Sequence, residues 1–511
     1  MRIALKKNIM EIFSSITEAH GEVEKLIDSR QADAAIQLLT DCQETAAQIG
    51  DIVADNEGGR SPVIVRLQDY CETVYHVALD ISGGMTGARA KRLLDKKLES
   101  ARADMERVNA PARVTFFPYN ASMWTAFSSI WQAAVNKGCE VKVVPVPCCD
   151  VNNDGTAGRW HCDTDNYPVG VKLTMFNEYD IEKEEPDIAF IHNGYDDGNT
   201  LMRVHPAFYS ERIKEHCGKL VYSPYCTMGS FTPGKSDAIF ANNGAAAADK
   251  IVVQSEFTAN IFEGYGFDRE KLVVQGSPKI DEVILRCSGD YDRDSRMPEK
   301  WKQKLSGKKK IFMLNTHWSY FLKGALALEN GTFDFDFAQR YHNQFFNVMK
   351  KYSDSCGMIW RPHPLMMTAL RHRAPQLLDY VNGFIEKIEA SDFAVVDDSA
   401  DYLDAFCCSD AMVTTYSTLV NEYLVTGKPV LIFQAKPTAL GGARSPIDYG
   451  KCYFTFKKDG GMTYTQFTEM VLEGKDPGHD ERMKMLREKS FANMDGTAGK
   501  RILDELLGGL K

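Results

Sequence analysis

The sequence predicts an α/β protein in which an α-helical bundle precedes two doubly wound domains. Three observations carry that prediction. Residues 1–108 repeat apolar side chains at spacings of three and four. From Pro111 onward, short apolar runs alternate with helical stretches, as expected of parallel sheets with crossover helices. A polar, charged stretch near 288–302 then reads as a linker between two series of similar size. The expected domains are therefore 1–108, 109–290 and 291–511.

In the first segment, Leu5, Ile9, Ile12, Ile16, Ala19, Val23 and Leu26 mark one packed seam, and Leu39, Cys42, Ala46, Ile49 and Val53 mark a second. Gly58-Gly59 and Pro62 interrupt the pattern before a third helix through Leu67, Tyr70, Val74 and Val77. Ser82-Gly83-Gly84 interrupts it again before a charged helix from about Thr86 to Val108. Short connections imply antiparallel neighbours. In the second segment the strands are expected at 113–117, 140–146, 187–192, 219–222, 251–254 and 272–275. In the third they are expected at 310–314, 358–360, 394–396, 411–414, 430–433 and 453–456. Ligands of doubly wound domains sit beyond the carboxyl ends of the strands, so the cleft between the two domains is the expected site.

Composition narrows the function classes. Hydrophobic residues at 44% and charged residues at 25% describe a soluble globular chain rather than a disordered or collagen-like one. A formal net charge of -10 argues against a nucleic-acid partner. No apolar run approaches the ~20 residues of a membrane helix, and the first 20 residues lack the apolar block of a signal peptide. The 13 cysteines are odd in number and lack Cys-x-x-Cys or Cys/His zinc spacing, so reduced thiols in a cytoplasmic protein are expected, with no metal or other cofactor. Asp150-Val151-Asn152-Asn153-Asp154-Gly155 begins like a calcium loop, but His161 stands where the twelfth-position Glu belongs, so a turn is expected. The basic run Arg89, Lys91, Arg92, Lys96 and Lys97 is read as a solvated helix face, with docking to the inner face of an anionic membrane as the sharper alternative. Homo-oligomerisation through the bundle is left open.

Two segments carry the chemistry. Trp360-Arg361-Pro362-His363-Pro364 follows an apolar run, and its prolines fix an Arg and a His at a strand end. Arg offers a planar fork of donors to phosphate, and His donates or exchanges a proton near neutral pH. Val413-Thr414-Thr415-Tyr416-Ser417-Thr418 leads into a helix bearing Glu422 and expected to run to Gly427-Lys428-Pro429-Val430. Ser417 and Thr418 would hold phosphate at the helix start, and Glu422 would reach a ribose hydroxyl. In the first series, Asn120 and Ser122 lie after the first strand, while His192 and His205 lie near later strand ends. Each of these has a plain alternative as a cap or a hydrogen-bonded structural group.

These segments resemble the CDP-glycerol glycerophosphotransferase family of teichoic-acid polymerases and primases, from about Pro111 to Gly496. The His-Pro loop matches Arg361-Pro362-His363-Pro364. The Thr-Asp-Tyr-Ser-Ser segment, with its following acid and Gly-Lys-Pro-Val, matches Thr414 to Thr418, Glu422 and 427–430. The Gly-x-Pro-Arg-x-Asp segment resembles Gly276-Ser277-Pro278-Lys279-Ile280-Asp281. The resemblance implies a GT-B fold of two Rossmann-like domains and transfer of glycerol phosphate from CDP-glycerol, or a related CDP-alditol, to an acceptor hydroxyl. CMP is released, and the acceptor is a glycan or lipid-linked polymer. His363 and Arg361 would neutralise the donor pyrophosphate. Thr415 replaces the family's Asp, and Val221-Tyr222-Ser223-Pro224-Tyr225 lacks the His that the family carries in its first domain. A base is therefore sought at His192 or His205, with His317 as a third option. The rival readings are a glycosyltransferase or epimerase acting on a UDP-sugar, and a nucleotide-binding protein without turnover.

Overall fold

The computed structural model describes residues 1–510 except 153, 199–201, 230, 232–233, 235–236, 288, 290, 318–321, 324–331, 334–338, 364–365, 374, 400, 416, 434–444 and 456–460. It also leaves out the side chains of 322–323, 332–333, 339, 368–369, 372–373 and 376. Asn153, Ser288, Asp290, Pro364, Tyr416 and Phe456 of the segments above lie outside the described residues. The chain forms two compact units, one of residues 1–113 with 138–140 and 506–511, the other of 114–137 with 141–505.

The first unit is built on α1 (Ile3–Asp28), α2 (Ala32–Glu57), α3 (Pro62–Asp80) and α4 (Gly87–Glu106). Each helix packs on its neighbours in sequence, and α1 also packs on α4, closing the bundle. A helix touching two partners needs a wider apolar stripe than a two-helix seam. In α1 the innermost residues are accordingly Ile9, Phe13, Ile16, His20, Val23 and Ile27, while Leu5, Ile12, Ala19 and Leu26 flank them half-buried. His20 was not legible as a core residue. Its ring is held between Asp95 Oδ1 (2.8 Å) and the Tyr70 hydroxyl (2.8 Å), which satisfies both nitrogens.

The second unit holds two parallel sheets. The first series contains β1 (Arg113–Phe117), β2 (Glu140–Val143), β3 (Cys148–Asp150), β4 (Ile188–Ile191), β5 (Met202–Val204), β6 (Lys219–Tyr222), β7 (Lys250–Val252) and β8 (Leu272–Val273). The second contains β9 (Lys310–Thr316), β10 (Leu322–Lys323), β11 (Thr332–Phe333), β12 (Cys356–Pro362), β13 (Ala394–Val396), β14 (Ala411–Thr414), β15 (Val430–Ile432) and β16 (Tyr453–Phe454). The sheet orders are β2-β1-β4-β6-β7-β8 and β13-β12-β9-β14-β15-β16; β3–β5 and β10–β11 form small antiparallel ladders beside them. The second sheet has the strand order of a dinucleotide-binding fold, and its direction of growth reverses at β9. Ile311, Phe312, Met313 and Leu314 of β9 are all fully buried, because helices cover both faces of a parallel sheet.

The polar stretch expected to be a linker is instead largely helical. Helices Arg293–Arg296 and Glu299–Leu305 put Met297, Trp301 and Leu305 into the core of the second sheet and leave their charges outside. The helix Pro278–Cys287 lies between the two sheets' helices, packing on Ser128–Asn136 of the first series and on Leu403–Cys408 and Thr418–Leu424 of the second. Its approach explains part of the Gly276-to-Asp281 segment. Gly276 has φ +99°, and a Cβ there would stand 2.5 Å from the Ala492 carbonyl oxygen. The Asp281 carboxylate accepts from the Ala498 and Gly499 amides (3.0 and 2.8 Å), capping the helix Ala498–Gly508.

Candidate active site

Parallel pairing sets three strand ends side by side. Arg361 lies in register with Asn315, and Thr414 pairs with Asn315 from the other side. The first residues past β9, β12 and β14 are His317, His363 and Thr415, so the sheet itself gathers them at the point where its winding reverses. Asn315 ties the strands together: its Nδ2 donates to the Arg361 carbonyl (3.0 Å), and its Oδ1 accepts from Ser417 Oγ (3.1 Å) and Thr414 Oγ1 (3.3 Å). The His363 amide donates to the Thr316 carbonyl (2.9 Å), and the His317 amide to Thr415 Oγ1 (3.4 Å). The two imidazoles then meet edge to face, centroids 4.7 Å apart. Burial pulls His317 down to about 4, and burial with the charges of His317 and Arg361 pulls His363 down to about 3, so both rings are neutral near pH 7. Beneath them, fully buried His342 meets Thr316 Oγ1 (2.8 Å).

A cavity of about 770 Å³ opens here, lined by Arg361, His363, Asp397 and Ser399 from the second sheet and by Asn120 and Ser122 from the loop after β1. Asn120 caps the short helix Ala121–Ala126, its Oδ1 accepting from the Ser122 amide (2.9 Å) and hydroxyl (2.6 Å). The structure thus brings Asn120, Ser122, Arg361 and His363 to one cavity, with His317 against His363.

Other expected residues have different surroundings. Arg361 is only 4% exposed; its guanidinium pairs with buried Asp397 and donates to the Ser399 carbonyl (3.0 Å). Its charge is matched within the protein before any phosphate arrives. Ser417 turns its hydroxyl to Asn315 instead of capping its own helix, and that helix ends at Leu424 rather than running to Gly427. Thr418 is exposed and Thr415 fully buried. Glu422, expected at a ribose, is 3% exposed, and its Oε1 faces Lys279 Nζ (3.6 Å) and the Thr227 hydroxyl (3.3 Å). Lys279 also donates to Thr125 Oγ1 (3.0 Å) and lies over the Tyr402 ring, so residues of both sheets share one buried polar cluster. Lys428 donates to the Phe406 carbonyl (2.6 Å) at the end of the helix Leu403–Cys408.

The two histidines sought as bases do not line the cavity. His192 is fully buried, stacked on Phe127 (4.8 Å), with Nε2 accepting from the Tyr119 amide (3.0 Å), and burial pulls it down to about 3. A nitrogen already accepting a backbone hydrogen bond is not available to take a substrate proton. His205 caps the short helix Pro206–Phe208, its Nδ1 accepting from the Ala207 amide (3.2 Å). Asn315, Asp397 and Lys279 were missed as site-forming groups. The first two stand at or just past the ends of apolar runs, the rule that did find His363.

The family model for CDP-Glycerol:Poly(glycerophosphate) glycerophosphotransferase matches residues 232–508, more than half of the chain. The protein belongs to that family. The match covers the whole second sheet and every strand-end residue described for it. No curated protein matches by sequence. Among solved structures, the Wall Teichoic Acid Polymerase TagF is similar over 86% of this chain and 98% of its own, at 14% identity and a TM-score of 0.50. A variant of TagF soaked with CDPG gives 14% identity, the same coverage and a TM-score of 0.49. A putative UDP-N-acetylglucosamine 2-epimerase from Listeria monocytogenes covers 78% of this chain and 97% of its own, at 13% identity and a TM-score of 0.47. The likeness to TagF supports the GT-B fold of two Rossmann-like domains, here with a helix-rich N-terminal region. Among the described residues, no helix is long and apolar enough to cross a membrane.

Proposed function

We propose that the protein transfers glycerol phosphate from CDP-glycerol, or a closely related CDP-alditol, to a hydroxyl of a glycan or lipid-linked polymer, releasing CMP. The observation that carries this reading is the pair of neutral strand-end imidazoles, His317 and His363, beside a cavity walled by both sheets of a glycerophosphotransferase-family chain. The acceptor hydroxyl oxygen attacks the phosphorus bearing glycerol and gives up its proton to solvent, and the bond from that phosphorus to the CMP phosphate oxygen breaks. Negative charge grows on the departing CMP. An imidazole N–H aimed at that oxygen donates a hydrogen bond, and an approaching anion raises the ring's pKa, so His363 can carry a proton as the charge develops. Arg361 serves in this scheme by holding the loop: its pairing with Asp397 and Ser399 fixes the strand end from which His363 projects. Asn120 and Ser122 face the donor from the acceptor side. Positioning and charge stabilisation supply most of the rate, as in phosphoryl transfer generally.

The test is CMP release from CDP-glycerol and CDP-ribitol with a membrane extract as acceptor source, UDP-N-acetylglucosamine being run in parallel. Acceptor-dependent CMP release, lost in His363→Ala, is the expected result. Turnover of the UDP-sugar instead would assign the cavity to a sugar nucleotide. Nucleotide binding without turnover, in the presence of an active acceptor extract, would make the chain a binding protein.

A further inference from the structure

Away from the cavity, the far end of the helix Pro278–Cys287 meets the helix Leu403–Cys408 through two thiols. Cys287 Sγ and Cys407 Sγ are 2.7 Å apart, although 120 positions separate them in sequence. Both belong to cysteines that are free. Nothing in the proposed transfer uses them.

Their surroundings differ from those of an ordinary buried cysteine. Cys407, 5% exposed, lines a pocket of about 330 Å³ with Leu285, Arg286, Arg296 and Asp404. Arg286 is anchored by Asp401 and by Asp404 (2.7 Å). Arg296 donates to the Arg286 carbonyl and stacks on Tyr291. The Tyr291 hydroxyl and Lys428 Nζ donate to the Cys407 carbonyl (3.0 and 3.3 Å). Arg286, Arg296 and Lys428 therefore surround this end of the helix with fixed positive charge, while Asp401 and Asp404 oppose it. Cys407 Sγ also lies 3.3 Å from the Arg286 carbonyl oxygen; its contact with Cys287 and the charges of Arg286, Lys428 and Arg296 lower the Cys407 thiol, while Cys287 is pushed up. Cys407 lines the pocket and Cys287 does not, so Cys407 is placed to attack and Cys287 to follow.

We propose that Cys407 and Cys287 form a reversible thiol–disulfide site, oxidised by low-molecular-weight disulfides that enter the Arg286/Arg296 pocket. The Cys407 thiolate attacks one sulfur of the small disulfide RSSR, forming a mixed disulfide and expelling RS⁻. Cys287 then attacks Cys407 Sγ, expels the second RS⁻ and gives up its proton to solvent. Two protein thiols are oxidised, RSSR is reduced to two RSH, and thiol reductants reverse the change. The product staples the helix that carries Lys279 at its other end to the second sheet, across the joint between the sheets.

The experiment uses the full chain exposed to oxidised glutathione and read by peptide mass spectrometry without reduction. The wild type should yield a Cys287–Cys407 cross-linked peptide that dithiothreitol removes, with an upward shift of the thermal unfolding midpoint. Cys287→Ser should stop at glutathione bound to Cys407, and Cys407→Ser should give no adduct at Cys287. Because the wild type alone is informative, folding defects in the variants do not blunt the test. The proposal is overturned if wild-type protein acquires glutathione at the half-buried Cys71, Cys139, Cys162, Cys217 or Cys226 without the cross-link. An adduct at Cys287 in Cys407→Ser would overturn the assigned order of attack.

Discussion

His192 follows β4 in the first sheet and His363 follows β12 in the second, so both stand at the carboxyl end of a buried parallel strand. Burial pulls both imidazoles down to about 3. Their partners nevertheless differ. His192 lies within an aromatic cluster, against Phe127 and Tyr119, and spends a nitrogen on a backbone amide. His363 lines a cavity, with His317 beside it. A place just past the carboxyl end of a buried parallel strand therefore does not by itself confer one chemistry. What separates them is that Phe127 and Tyr119 enclose His192, whereas His363 borders the cavity with Arg361, Asp397 and Ser399.

Replacing each histidine tests that contrast most sharply. His363→Ala should lower the rate of CMP release by about 10²–10³-fold, the size seen when a transition-state hydrogen-bond donor is lost. His192→Phe should leave that rate within about threefold, since neither of its nitrogens is asked to act on substrate. Comparable losses in the two variants would erase the distinction.

The next largest effect is expected at the cluster joining the sheets. Glu422→Gln leaves the Lys279 ammonium, 5% exposed, without its carboxylate, and should cost about 3 kcal/mol in denaturant unfolding. Adding Lys279→Met should return most of that loss. Failure of the second change to rescue the first would show that the pair does not act as a unit.

Smaller again is the structural cost of His192→Phe, about 2 kcal/mol, because the Tyr119 amide is left without its acceptor inside the core. The least effect is on pH dependence. A histidine neutral in the fold but protonated once unfolded makes the unfolded state bind more protons between pH 3 and 6.5, so stability falls as pH falls through that window. Removing His192 should make this acid loss shallower by about 1.4 kcal/mol per pH unit, measured by unfolding at pH 5 and 6. An unchanged slope would mean that His192 takes up a proton in the native state.

Much of the architecture was legible because it rests on local periodicity. Apolar runs such as 394–396 and 411–414 coincide with β13 and β14, and the breaks between α2 and α3 and between α3 and α4 fall at the predicted Gly58-Gly59, Pro62 and Ser82-Gly83-Gly84. The helical stretch at 293–305 was not legible, because two short helices with charged outer faces have the composition of a linker. His20 was hidden in the same way, since its burial depends on Tyr70 and Asp95 arriving from other helices.

At the site, sequence alone determined that His317, His363 and Thr415 stand shortly past the ends of apolar runs; the order β12-β9-β14, which makes them neighbours, was decided by the folded sheet. Only the tertiary structure decided what each could do. Arg361 meets Asp397, Glu422 meets Lys279, and His192 meets the Tyr119 amide. These partners come from distant segments, and the proton affinity or residual charge of a buried group depends on the neighbours that folding brings within a few ångströms.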